Sequence, residues 1–213
     1  HSFCVKYYKN DCYTDKEITL LLKENSKPIT QFDYDLIILD EAQDITPIYY
    51  ELICKIYSNN NKNIKLCILG DRYQSIYDFN NADERYITCA STLFNFNSDK
   101  WITTSLFRSF RVTNEISSFV NNCLLKNDRI KANKSGSSVR YIICDTFGDK
   151  IGTSQRTYDE VMYYLGLGYK CDEIFILAPS VKSVGSPIRQ LANKLSKNGY
   201  PLYVPNTDEE KID

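Results

Sequence analysis

Apolar residues along the chain fall into short unbroken runs separated by longer stretches with helical spacing. Leu36-Ile37-Ile38-Leu39 is an apolar run flanked by carboxylates, the pattern of a strand buried on both faces of a parallel sheet. Beyond it, Thr46 is placed to cap a helix, Pro47 suits the first helical position, and Ile48, Leu52, Ile53 and Ile56 recur on one face. The asparagine-rich stretch 59–63 reads as a loop. Leu66-Cys67-Ile68-Leu69 reads as a second buried strand, ended by Gly70-Asp71.

The second half repeats the alternation. Trp101 to Leu106 reads as a third strand, and Ile116, Phe119, Val120, Cys123 and Leu124 mark a helical face. Residues 126–138 are polar and basic and read as a surface loop. Arg140 to Cys144 is a strand candidate, 157–165 a helix, and Ile174-Phe175-Ile176-Leu177 another buried strand. Ser186-Pro187 starts a helix with Ile188, Leu191, Ala192 and Leu195 on one face; Gly199 is placed to end it, and Leu202 to Val204 begins a further strand. Apolar strands alternating with helices predict an α/β fold with parallel sheets.

Composition narrows the class. The 213 residues are 43% hydrophobic and 25% charged with a net charge of -1, which excludes a disordered tail and a histone-like polycation. No run of 18 apolar residues occurs, so no membrane span is expected, and no secretory segment opens the chain. The start at His1 rather than Met points to a piece of a longer protein. Eight cysteines include no C-x-x-C pair, and the lone histidine is terminal, which argues against a zinc site. Cys54, Cys67, Cys123 and Cys144 lie in apolar runs, where cysteine behaves as a small hydrophobe. Reduced thiols imply a cytoplasmic or nuclear setting.

Candidate chemistry lies at the strand ends, where ligands of open α/β sheets bind. The first strand ends in Asp40-Glu41-Ala42-Gln43-Asp44, the second in Gly70-Asp71-Arg72-Tyr73-Gln74-Ser75-Ile76-Tyr77. Alone, an Asp-Glu pair is usually a solvated loop and Gly-Asp usually a turn. On successive strands they suit a divalent cation with phosphate ligands: one carboxylate holds Mg²⁺, the next activates water, and Gln74 orients a nucleophile or touches a phosphate.

These segments carry a family resemblance. LIILDEAQD over Leu36–Asp44 resembles the Walker B box of superfamily 1 helicases of the UvrD/Rep type, and GDRYQSIYDFNNAD over Gly70–Asp83 resembles their third motif. LFRSFRVTNEI over Leu106–Ile116 resembles the fourth, with Arg111 rather than Arg108 in the place of the family arginine. His1-Ser2-Phe3 is similar to the short T-x-H-x-F box, and Asp172–Val204 to a later stretch of the second motor domain. The resemblance implies RecA-like P-loop NTPase domains, with 1–104 the later part of the first and 105–213 the opening part of the second.

It also implies roles. Asp40 coordinates Mg²⁺, and Glu41 is the base that polarises the attacking water of ATP hydrolysis. Gln43 and Asp44 couple nucleotide state to the DNA strand, Gln74 senses the γ-phosphate, and Arg111 acts as an arginine finger, or else pairs with a carboxylate. Tyr77, Phe79 and Asn80 form the DNA side, with Phe79 stacked on a base of single-stranded DNA; without the resemblance Phe79 reads as core. The expected function is ATP-driven translocation on single-stranded DNA and unwinding at duplex junctions. The alternatives are a non-catalytic nucleic-acid-binding module and a helicase–nuclease fusion. Two departures stand out: no G-x-x-x-x-G-K-[ST] loop occurs, and the family's arginine-glycine pair is Asn80-Asn81 here. The loop is expected upstream of His1.

Overall fold

A computed structural model describes residues 1–76, 81–97, 100–143, 152–178 and 186–204, with the side chains of 152–154 left aside. The chain divides into two compact units, His1–Ser105 and Leu106–Asp213.

In the first unit, α1 (Ser2–Tyr7) and α2 (Asp15–Lys23) precede β1 (Leu36–Leu39), α3 (Pro47–Asn59), β2 (Lys65–Ile68), α4 (Arg85–Thr88) and α5 (Ala90–Leu93). Strands β1 and β2 pair in parallel, with Leu36 opposite Lys65 and Leu39 opposite Ile68. Helix α3 starts where the sequence expects, with Pro47 in its first turn, although the Thr46 hydroxyl makes no capping bond. Two adjacent residues of α3 serve different cores. Leu52 joins Cys4, Tyr7, Tyr8, Cys12, Ile18, Leu21 and Phe32, while Ile53 joins Tyr86 and Phe94, with Leu39, Leu66 and Ile68 against them. The helix thereby ties the amino-terminal helices to the strand pair.

The second unit contains β3 (Arg108–Ser109), α6 (Asn114–Phe119), a wider helical turn over Val120–Leu125, β4 (Lys131–Ala132), α7 (Gly152–Gly166) and α8 (Pro187–Lys197). Strands β3 and β4 are a short parallel pair. Val161 of α7 and Leu191 and Leu195 of α8 form the core, with Ile174 and Ile176 packed on it. Gly199, at a φ of 80°, follows α8 in a left-handed conformation that glycine adopts without strain.

Several sequence expectations change. The run 36–39 is buried on one face: Ile37 and Leu39 are half-buried, while Leu36 and Ile38 are exposed. The stretches 101–106, 140–143, 174–177 and 202–204 form no ladder among the described residues. In 174–177 the alternation survives without a strand pair, since Ile174 and Ile176 turn inward while Phe175 and Leu177 stay exposed. The buried side of the 114–125 helix is also rotated from its apolar positions. Ile116, Cys123 and Leu124 are exposed, and Ser117 and Asn121 are buried. The Asn121 amide explains this, donating to the Ile130 carbonyl (2.8 Å) and Asp128 (3.1 Å) and accepting from the N–H groups of Arg129 and Ile130 (3.2 and 3.0 Å). A side chain with four local partners is satisfied inside, where an apolar one would leave that loop backbone unpaired.

The seven described cysteines are all free thiols. The fully buried ones are Cys4 and Cys12, and burial pushes the Cys4 thiol up to about 11. Cys54 and Cys67 are half-buried, Cys123 is exposed, and Cys144 lies outside the described residues. No described helix is long and apolar enough to cross a membrane.

Core and surface aromatics should separate sharply in stability. Phe94 is 1% exposed among Tyr50, Tyr86 and Phe96, so Phe94→Ala should cost about 3–5 kcal/mol in urea unfolding. Phe175 is 86% exposed, and Phe175→Ala should stay within about 0.5 kcal/mol of the unaltered chain.

Candidate functional site

The parallel pairing of β1 and β2 carries their carboxyl ends side by side. The backbone continues the register beyond the strands, with Leu69 N–H donating to the Leu39 carbonyl (2.8 Å) and Ala42 N–H to the Leu69 carbonyl (2.9 Å). The DEAQD and GDRYQ segments therefore emerge as neighbours. The first turns at once: Glu41 has φ 50° and ψ 45°, and Ala42–Asp44 form one tight helical turn. A left-handed non-glycine residue costs on the order of 1 kcal/mol and persists only where its surroundings hold it. Here its N–H donates to Asp40 Oδ1 (3.0 Å), its carbonyl accepts the Asp44 N–H (2.9 Å), and its carboxylate accepts the Gln43 amide (2.7 Å).

Gln43 joins the two segments. It is 1% exposed. Its Nε2 donates to Glu41 Oε2, and its Oε1 accepts the Asp71 N–H at 3.0 Å. Asp71 continues the chain, its Oδ1 accepting the Tyr73 N–H (3.0 Å) and its Oδ2 the Gln74 amide (3.2 Å). Glu41, Gln43, Asp71 and Gln74 thus form one hydrogen-bonded series across both strand ends, with exposed Asp40 at its edge. Gly70 makes the approach possible: a Cβ there would lie 2.5 Å from Gln43 Oε1 and 3.0 Å from the Ala42 nitrogen. Asp44 sits beside this series, with Oδ2 3.5 Å from the Gln43 amide. Its buried Oδ1, like the Thr46 hydroxyl, has no hydrogen-bond partner among the described residues.

At the end of the second motif, Asp83 donates its N–H to the Ile45 carbonyl (3.1 Å), anchoring the motif behind the DEAQD turn. Arg85 grips the Asp83 carboxylate with Nε (2.9 and 2.8 Å) and Nη2 (2.5 Å). These bonds hold the Asp83 carboxyl below its ordinary range.

Of the residues singled out from sequence, Asp40, Glu41, Gln43, Asp44 and Gln74 come together. Arg111 belongs to the second unit, where it is exposed and its N–H donates to Ser109 Oγ (3.2 Å). Tyr77, Phe79 and Asn80 lie outside the described residues. Sequence reading missed Asp71 as the link between Gln43 and Gln74; the Gly-Asp step closing the second strand was its signal.

Residues 1–95 match the family model of the UvrD/REP helicase N-terminal domain. The chain is 35% identical over 102 residues to F-box DNA helicase protein 1 of Schizosaccharomyces pombe, covering 46% of this chain and 10% of that protein. It is 27% identical over 170 residues to a probable DNA helicase II homolog of Mycoplasma capricolum, covering 74% of this chain and 22% of that protein. Over 155 residues it is 28% identical to the ATP-dependent DNA helicase PcrA of Staphylococcus epidermidis, covering 69% and 20% respectively. The chain spans less than a quarter of each of these relatives.

Two measurements check this site. Gln43→Leu leaves the half-buried Asp71 N–H without the Gln43 acceptor and should cost about 1–3 kcal/mol of stability. Gly70→Ala should cost a similar amount, about 1–3 kcal/mol, through overpacking against Gln43 and Ala42; urea unfolding reads both.

The Asp83–Arg85 pair should appear in the acid limb. A depressed folded-state pKa gives stability that is present above the unfolded aspartate value, about 3.9, and lost as pH falls through the folded one. Arg85→Gln should flatten that part of an unfolding-versus-pH curve.

Proposed function

We propose that this chain, whose residues 1–95 match the UvrD/REP helicase N-terminal domain, is part of an ATP-dependent DNA helicase that couples ATP hydrolysis to movement on single-stranded DNA and duplex unwinding. The observation that carries the reading is the hydrogen-bonded series from Glu41 through Gln43 and Asp71 to Gln74. It gives a carboxylate and an amide fixed positions on neighbouring strand ends, as in-line attack of water on a phosphoryl group requires.

The donor set fits Mg²⁺. Among the described residues no group of three or more His, Cys, Asp or Glu side chains is placed to hold a metal. Mg²⁺ needs no such cage, since it takes one or two carboxylates with phosphate oxygens and water. Asp40 is the carboxylate for it, exposed at the strand end with Oδ1 on the Glu41 N–H. When bound, the ion supplies charge neutralisation at the phosphates. Glu41 polarises the attacking water, and the Gln43 amide fixes the direction of its carboxylate. Gln74, oriented by Asp71, meets the γ-phosphate and reports its loss back along the series. In the same reading Arg111 supplies transition-state charge, and Tyr77, Phe79 and Asn80 face the DNA strand.

The chain contains no G-x-x-x-x-G-K-[ST] segment to cradle the β- and γ-phosphates, so by itself it should turn over ATP poorly. In a helicase that carries this chain together with such a loop, Glu41→Gln should lower kcat about 10²–10⁴-fold, the range of a general base. ATP and DNA affinities should stay within about threefold, since glutamine keeps the shape and most of the hydrogen bonding. Unchanged kcat for Glu41→Gln, with ATP binding intact, would overturn the assignment.

A further inference from the structure

One helix of the second unit is more polar on its inner side than its own packing requires. Over 114–125, Ile116 and Leu124 point outward while Ser117 and Asn121 are buried. The loop that Asn121 satisfies accounts for Asn121. It does not account for Asn114, Ser118 and Asn122, which follow one another at four-residue intervals and so form a row along the helix. That row, with Asp128, Ile130 and Lys131, lines a groove of about 370 Å³, a volume within the range of small-molecule sites, about 300–1,000 Å³. Beside the groove the helix widens to π geometry over Val120–Leu125, a distortion that recurs at functional sites.

The groove presents polar atoms that the fold leaves open. Asn122 Nδ2 donates to Ser118 Oγ (3.1 Å), which frees the Ser118 hydroxyl proton and Asn122 Oδ1 for another group. Asn114 uses Nδ2 toward Ser135 Oγ (3.4 Å) and keeps Oδ1. Asp128 accepts from Asn121 on Oδ1 (3.1 Å) and keeps Oδ2. Lys131 Nζ lies 5.4 Å from the centroid of the Phe107 ring, with no carboxylate at ion-pair distance among the described residues.

This set favours one ligand chemistry. A hydroxyl both donates and accepts, so amide and carboxylate oxygens beside a serine hydroxyl suit the adjacent hydroxyls of a sugar. Among the described residues no aromatic side chain lines the groove, and a flat aromatic ligand would gain no stacking there. The charge favours an anion: residues 126–134 hold four cations, Lys126, Arg129, Lys131 and Lys134, against the single carboxylate of Asp128. A lysine ammonium binds phosphate as a point charge.

We propose that this groove binds a ribose phosphate, with Asp128 and the Asn122 amide oxygen on adjacent sugar hydroxyls and Lys131 on the phosphate. Free sugar phosphates and ribonucleotides carry that unit, and so does RNA; the 2′-hydroxyl separates all of them from their deoxyribose counterparts. The site belongs wholly to the second unit and does not depend on the hydrolysis chemistry proposed for the first.

The test is a ¹H–¹⁵N NMR titration of the 213-residue chain with ribose 5-phosphate, 2-deoxyribose 5-phosphate, oligouridine and oligodeoxyuridine. Ribose 5-phosphate should shift the amide signals of 114–132 and bind about 10-fold more tightly than its deoxy counterpart. The same shifts with oligouridine identify RNA as a source; shifts with ribose 5-phosphate alone identify the free compound. Asp128→Asn should weaken ribose 5-phosphate by about 10- to 100-fold, the range for a lost hydrogen bond to a charged group, and shrink the preference over deoxyribose. Lys131→Gln should weaken both sugar phosphates alike and keep the preference. Asparagine at 128 retains an oxygen for the Asn121 amide; should the ligand-free spectrum nonetheless show unfolding, Asn122→Ala, at an exposed position, carries the same comparison. Binding that leaves the 114–132 signals in place, equal affinities for ribose and deoxyribose, or variants that bind as well as the unaltered chain would each overturn the proposal. So would the absence of binding by all four probes. In every one of these cases the helicase reading stands, because it rests on the first unit.

Discussion

The buried amide of Gln43 holds the site together. A single planar group donates to Glu41 on one side and accepts the Asp71 N–H on the other, joining two segments that leave adjacent strands. A carboxamide suits this position because it carries a donor and an acceptor at fixed separation. A carboxylate would face Glu41 with like charge, and an apolar group would leave the Asp71 N–H unpaired. The bridge needs two further things: strands in parallel register, so that both ends emerge at one edge, and no side chain at Gly70.

One of the left-handed non-glycine residues, Glu41, lies where the chemistry is proposed. Glu41 sits in a left-handed conformation inside a turn held by Asp40, Gln43 and Asp44 and by the Ala42 N–H on the Leu69 carbonyl. The energetic cost of that conformation is offset locally, which lets the carboxylate leave the direction a continuing strand would give it. Such residues cluster at sites where geometry matters more than local comfort. In the proposed mechanism, the same bonds that stabilise the turn also aim the base.

The first unit supports this edge through α3. Leu52 and Ile53, one residue apart on the helix, bury into two separate clusters. The helix therefore fixes the strand pair against the amino-terminal helices without contributing a polar group to the site. The second cluster contains both Leu39 and Ile68, the last residues of β1 and β2. Packing immediately behind the strand ends limits how far Asp40 and Gly70 can move. In the second unit the comparable organising group is polar: Asn121 satisfies a loop backbone from inside a helix.

The motifs, the parallel pair β1–β2, helix α3 and helix α8 were legible in the sequence because local signals agree there. An apolar run, a proline at a first helical turn and a carboxylate-rich strand end each act over a few residues. Strand formation in 101–106, 140–143, 174–177 and 202–204 was not legible in the same way. A ladder depends on a partner that local pattern cannot supply, and alternation alone left Phe175 and Leu177 outside. The polar inner face at Ser117 and Asn121 was also hidden, because its partners lie seven to nine residues away in a loop. For the site, sequence by itself determined the chemical groups Asp40, Glu41, Gln43 and Gln74 at the ends of two strands. Only the tertiary structure decided that Gln43 turns inward to bind Asp71, and that Glu41 leaves the strand direction. Both depend on the distance between two strand ends 30 residues apart in sequence, from Asp40 to Gly70, which register and packing set and composition does not.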